Sequence, residues 1–160
     1  MRPVTLIYCI KGDEVLLGMK KRGFGKGKLN GYGGKVALNE NIDEAAIREL
    51  AEEAKITAQK KDLEKVAEIN FYFSDVPKEK DYDQKVHVFF LKKWSGEPTE
   101  TEEMKPYWYK ISDIPLEKMW VDDKYWLHKV FEGQKIRASF TFKDQGAAIK
   151  KYSLEAVKQF

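Results

Sequence analysis

At 160 residues and a net charge of +3, the chain has the length of one ordinary domain and too little charge imbalance to wrap nucleic acid. A chain that is 42% hydrophobic and 34% charged is a water-soluble globular one, not a disordered or membrane-embedded one. Cys9 is the only cysteine, so no internal disulfide can form, and a reducing, cytoplasmic setting is expected.

The first apolar run, Val4 to Ile10, stops at Lys11 and is too short for a signal peptide or a spanning helix, so no membrane partner is expected. With Val15 to Met19 it reads as a β-hairpin around Lys11-Gly12-Asp13-Glu14. Lys20 to Lys35 holds six glycines and six cationic residues and reads as loop. Asn41 to Lys55 is the strongest helix, with Asn41 as N-cap and Glu44 at capping-box spacing. Val66–Phe73 and Val86–Leu91 are β-branched and aromatic, hence strands, with a charged surface loop, Asp75–Lys85, between them. Lys105–Tyr109 reads as a further strand. Asp122–Phe131 has helical spacing and stops at Gly133. Ile136–Phe142 and Ala148–Leu154 form a last hairpin around Asp144–Gly146. No repeat or Pro/Ser-rich linker divides residues 1–160, so a single α/β domain is expected.

Placed on a wheel at roughly 100° per residue, the first helix collects Ile47, Leu50, Ala51 and Ala54 on one side. Glu49, Glu52 and Glu53 gather on the other. Such a face can be merely solvated, and without cations each like-charged pair costs a few tenths of a kcal/mol, on the order of 0.3. Its neighbours argue for more. Arg48 can orient a carboxylate through its forked donors. Gly33-Gly34 and Glu40 lie just upstream.

The run from Gly34 through Glu40 to Arg48-Glu49-Leu50-Ala51-Glu52-Glu53-Ala54-Lys55-Ile56 covers twenty-three residues and resembles the Nudix box. Lys55 stands where the family places glycine, and a left-handed lysine costs on the order of 1 kcal/mol. The resemblance implies a Nudix fold, an α/β/α sandwich with a mixed sheet. It also implies magnesium, with manganese as a substitute, held by Glu49, Glu52, Glu53 and the Gly33 carbonyl. Carboxylates together with substrate phosphates suit that hard ion. Arg48 joins the three glutamates as the catalytic set, and Glu103 matches a family position that adds a ligand from outside the helix. The acidic surroundings of Glu103 suit a solvated run equally well.

Two further stretches, Gly18 to Gly25 with Leu29 to Lys35, and Met119 to Trp126, resemble one branch of that family. Its members hydrolyse oxidised purine nucleoside triphosphates, such as 8-oxo-dGTP and 2-hydroxy-dATP, to the monophosphate and pyrophosphate. By this resemblance Trp120 stacks on the purine, Asp122 and Asp123 read its Watson–Crick edge, and Asn30 meets the opposite edge. Thr5, Lys20, Phe24, Tyr32, Gly34 and Lys35 complete the substrate-binding set. Taken alone, Trp120 could be a core residue and the two aspartates a helix cap. As a pair in an apolar pocket they resist ionising together and can share a proton, so they accept and donate at once. A nucleotide substrate, no stable nucleic-acid partner and a monomer are expected.

Tyr72 lies near where some dinucleoside polyphosphate hydrolases carry a tyrosine, and the triphosphate end of RNA is a related alternative. Strand alternation puts Phe71 and Phe73, not Tyr72, on the pocket face. A non-catalytic Nudix module usually lacks some box carboxylates, and none is missing here. Neither His87 nor His128 belongs to a cluster that would hold zinc.

Overall fold

The computed structural model describes residues 1–160. Strand β1 (Arg2–Lys11) turns back into β2 (Glu14–Lys20) through Gly12 and Asp13. Gly12 has φ +61°, a backbone state that glycine enters without strain. The expected loop contains a two-residue strand, β3 (Leu29–Asn30), paired with Gly18 and Met19. Helix α1 (Ile42–Ala54) follows, then β4 (Leu63–Phe73), β5 (Gln84–Leu91) and β6 (Met104–Lys110). Helix α2 (Asp123–Phe131) precedes the closing hairpin of β7 (Lys135–Lys143) and β8 (Ala148–Val157).

The sheet runs β3-β2-β1-β5-β4-β7-β8, with β6 paired to β2. The β1–β5 and β4–β7 pairs are parallel and the others antiparallel, so the sheet is mixed as expected. Period-two alternation along β1 sorts the core into two layers. Ile7 and Cys9 pack with Ala46, Leu50 and Ala54 of α1. Tyr8 and Ile10 pack with Trp126, Leu127 and Val130 of α2. The helices therefore cover opposite faces, which gives the α/β/α sandwich. Leu50 is wholly buried and contributes on the order of 2 kcal/mol.

Two local expectations need correction. Asn41 makes no side-chain cap bond; its amide donates to Glu44 at 3.0 Å, so the capping box does not close. Ile47 and Ala51 are only partly buried, while Glu53 is buried. The loop over α1 folds down onto its acidic side, and that contact rotates the packed face toward Glu53. The 75–85 loop lies at the surface as expected, and it also brings Lys80 and Tyr82 to the wall of the main cavity. Lys55 behaves as expected: it is left-handed at φ 61°, and its N–H donates to the Ala51 carbonyl at 3.1 Å.

Candidate active site

A cavity of about 470 Å³ opens between the Gly-rich loop, β4, β5 and the start of α2. Its lining joins Glu53 at one end to Trp120, Asp122 and Asp123 at the other.

At the glutamate end, the two glycines are dictated by crowding. A Cβ on Gly33 would lie 1.8 Å from the Thr5 carbonyl oxygen, so the backbone there lies against β1, bridged antiparallel at Ile7–Tyr32 and Val4–Lys35, with no room for a side chain. A Cβ on Gly34 would meet the Glu49 carboxylate at 2.5–2.7 Å. Gly34 accepts the Thr5 N–H at 2.9 Å, and Gly33 N–H donates to Glu53 Oε1 at 3.0 Å. The loop is thus bonded to the sheet on one side and to α1 on the other. Arg48 holds Glu40 bidentately at 2.7 and 2.9 Å, donates to Glu49 at 3.0 Å, and reaches Glu52 at 3.3 Å and the Lys35 carbonyl at 3.1 Å. This fork holds the Glu40 carboxyl down to about 2. Burial pushes Glu53 up to about 8, with the charges of Glu49 and Glu103 adding to it and Lys20 opposing. Glu49 is raised as well, by burial first and then by Glu52 and Glu103, against the pull of Arg48. Thr101 Oγ1 donates to the Glu53 carbonyl at 2.9 Å and so ties the end of α1 to the loop that carries Glu103.

Glu52 and Glu103 stand at the rim, outside the cavity lining, with side chains 58% and 51% exposed. Arg22 approaches Glu103 at 3.5 Å. No three His, Cys, Asp or Glu side chains converge on one point at ligand distance. The donors nonetheless suit a hard cation. All are oxygens, and like charge crowds Glu53, from Glu49 and Glu103, and Glu49, from Glu52 and Glu103, so that ionisation of both is opposed. A cation would relieve that crowding, with Glu49 and Glu53 turning from Arg48 and Gly33 toward it.

At the aspartate end, the geometry is dry. Asp122 and Asp123 are both 3% exposed. Asp122 occupies the N-cap position of α2, but its carboxylate caps nothing; it accepts the Trp126 indole N–H at 2.8 Å. Asp123 Oδ2 is buried without a partner. Burial pushes Asp122 up to about 6, and burial together with the Asp122 charge drives Asp123 well above the usual carboxylate range. The cap explanation fails here, and a buried polar atom without a partner remains on a residue that lines the cavity.

Trp120 forms the flat wall. Phe24 tilts against it at 5.2 Å between centroids, Phe142 lies at 6.1 Å, and the Lys28 ammonium sits 5.2 Å from the ring. Two glycines give the indole its room. A Cβ on Gly25 would lie 3.1 Å from it, and one on Gly146 2.8 Å, and both have positive φ. Gly146, Phe142 and Trp126 were missing from the sequence-based site. Gly146 read as nothing more than a turn, and only the tertiary fold brings that turn to Trp120.

Of the expected substrate-binding residues, Thr5, Lys20, Phe24, Asn30, Gly34 and Lys35 line the cavity together with Trp120 and both aspartates. Tyr32 does not. It is fully buried in the core layer under α1, against Gly18, with its hydroxyl unpartnered. Phe71 and Phe73 face the cavity and Tyr72 is not part of its lining, as strand alternation requires.

The model of the NUDIX domain matches residues 1–130. The chain belongs to the Nudix family. A Nudix relative, the oxidized purine nucleoside triphosphate hydrolase of Mus musculus, is 42% identical over 159 residues, covering 99% of this chain and 97% of its own length. The protein of the same description from Danio rerio is 42% identical over 139 residues, covering 87% and 85%. Among solved structures, a MutT protein from Bacillus halodurans superposes with a TM-score of 0.80 at 25% identity, covering 97% of this chain and 98% of that one. A MutT protein from Methanosarcina mazei shares the fold with a TM-score of 0.68 at 18% identity, covering 82% and 94%. Nudix hydrolases generally use a divalent metal.

Proposed function

We propose that this Nudix hydrolase converts oxidised purine nucleoside triphosphates, 8-oxo-dGTP and 2-hydroxy-dATP among them, to the monophosphate and pyrophosphate, with magnesium as its cofactor. The observation that carries the reading is the buried Asp122–Asp123 pair, with Asp123 Oδ2 unmet, in the same cavity as Glu53. One proton shared by two carboxyls supplies a donor and acceptors together, the pattern that a purine edge asks for. The description of the relatives in Mus musculus and Danio rerio agrees with it.

In this reading Trp120 and Phe24 take the purine face, and Asn30 takes the edge opposite the aspartates. Lys20, on the cavity wall near Glu53, offers its charge to the phosphates. Glu49, Glu52, Glu53, Glu103 and the Gly33 carbonyl would hold magnesium, and Arg48 would hold Glu49 until the metal drew it away. Bound metal would neutralise phosphate charge and lower the pKa of water for attack at phosphorus. The proton of the attacking water passes to one of the same glutamates. The whole chain, 1–160, acts as one domain, because the cavity draws on β1 at one end and Phe142 of β7 at the other. No helix is long and apolar enough to cross a membrane. A cytoplasmic monomer with no stable nucleic-acid partner completes the proposal.

Turnover on a panel with magnesium tests it. Both oxidised purine triphosphates should exceed dGTP, dATP, a dinucleoside tetraphosphate and RNA 5′-triphosphate ends in kcat/KM. Preference for either of the last two would replace the reading with the alternative Nudix substrate.

A further inference from the structure

Tyr8 is fully buried, and its hydroxyl donates to Asn30 Oδ1 at 3.1 Å. The same oxygen accepts the Gly31 N–H at 2.9 Å. An amide oxygen has two lone pairs, so Asn30 Oδ1 is fully used and the NH₂ is the group left for a ligand. Rotating the amide would set that NH₂ against Gly31 N–H, which can only donate. Burial, reinforced by the charges of Asp123 and Asp122, holds the Tyr8 phenol well above its ordinary range, so it keeps a proton to give. Edge contacts with Phe90, Trp126 and Phe131 at 6.2–6.5 Å fix the ring. Trp126 in turn is the donor to Asp122. Tyr8 therefore touches Asn30 directly and touches the support of the aspartate pair as well.

We propose that Tyr8 is a positioning residue for base recognition. It fixes the Asn30 amide with its NH₂ free for the ligand, so the cavity favours a purine edge that presents an acceptor there which dGTP lacks, the oxygen that oxidation adds at C8. The proposal rests on the purine reading of the site, and its test keeps the two apart. Tyr8→Phe keeps the ring and its edge contacts and removes only the hydroxyl.

In ¹H–¹⁵N spectra of the ligand-free protein, the Asn30 side-chain signals should shift in Tyr8→Phe and exchange with each other faster than in wild type. With magnesium and substrate, discrimination of 8-oxo-dGTP from dGTP should fall about fivefold, the value of one net hydrogen bond. The loss should appear in KM more than in kcat. In an Asn30→Ala background, Tyr8→Phe should change that ratio no further. An equal effect with and without Asn30 would mean that Tyr8 acts through general packing, and would overturn the proposal. A wild type that does not distinguish 8-oxo-dGTP from dGTP overturns the purine reading. A discriminating wild type with unmoved Asn30 signals in Tyr8→Phe overturns the Tyr8 proposal alone.

Discussion

The two ends of the cavity both hold carboxyls above their ordinary range, yet they reach that state by different routes. At the glutamate end, Glu49 and Glu103 add like charge to the burial of Glu53, Glu52 and Glu103 do so at Glu49, and the cluster opens to solvent at Glu52 and Glu103. At the aspartate end, solvent is excluded, and one indole N–H is the only side-chain donor that reaches the pair from outside it. Crowded charge invites a cation; a dry pair invites a shared proton and a neutral ligand edge. In the proposed reading one functional group serves two tasks in one cavity, and the surroundings decide which.

The sharpest way to break this contrast is to remove one charge at each end. Glu53→Gln should lower turnover by roughly 100-fold or more in saturating magnesium while the fold survives. Near-wild-type turnover would remove Glu53 from the metal set. Asp122→Asn and Asp123→Asn should each raise KM for 8-oxo-dGTP tenfold or more, about 1.4 kcal/mol, and change the ratio of guanine-type to adenine-type substrates. Their magnesium dependence should not move. Trp120→Ala should weaken purines alike, by roughly 1–3 kcal/mol, because stacking tolerates any base. If the aspartate variants keep wild-type selectivity across the panel, the aspartate end is not a base reader.

Stability against pH sharpens the comparison further. A carboxyl whose folded pKa is raised keeps its proton longer in the folded chain than in the unfolded one. Folded protein therefore binds more protons in the window between the two values, and stability falls as pH rises through it. For Glu53 the window runs from about 4.5 to about 8, and for Asp122 from about 3.8 to about 6. Metal-free protein should be more stable in urea melts at about pH 5 than at about pH 8. Magnesium, or Glu53→Gln, should remove the share of Glu53 across its whole window, from about pH 4.5 to about pH 8, and leave the share of the aspartates. A slope untouched by both would assign the effect to the aspartates alone.

The period of the apolar residues made both helices and the central strands legible, and the acidic positions of α1 were legible from spacing. Contacts that join distant segments were not. The wheel put Glu53 opposite the packed face, because it cannot show a loop folding down to offer Gly33 N–H. The family resemblance left Tyr32 in the pocket, for want of any local sign that Gly18 opens a slot for its ring. Gly146 carried turn chemistry only, since its meeting with Trp120 depends on where β7 and β8 deliver it. Lys55 was different: helix-end chemistry is local, and the glycine that the family places at that position already implied its left-handed state. The smallest predicted effect is here. Lys55→Gly should raise stability by about 1 kcal/mol in thermal melts and leave turnover unchanged. Clear destabilisation would mean that the lysine side chain is wanted at that position.

The Gly146 turn separates the edge of the family signature from the edge of the working pocket. The NUDIX match ends at residue 130, while Phe142 and Gly146 press on the indole from beyond it. Two Nudix chains can therefore agree at every acidic position through residue 130 and still present different walls to a base. Exchanging the 131–160 tail between relatives would be a graft of ligand preference, delivered from a segment that holds none of the box carboxylates.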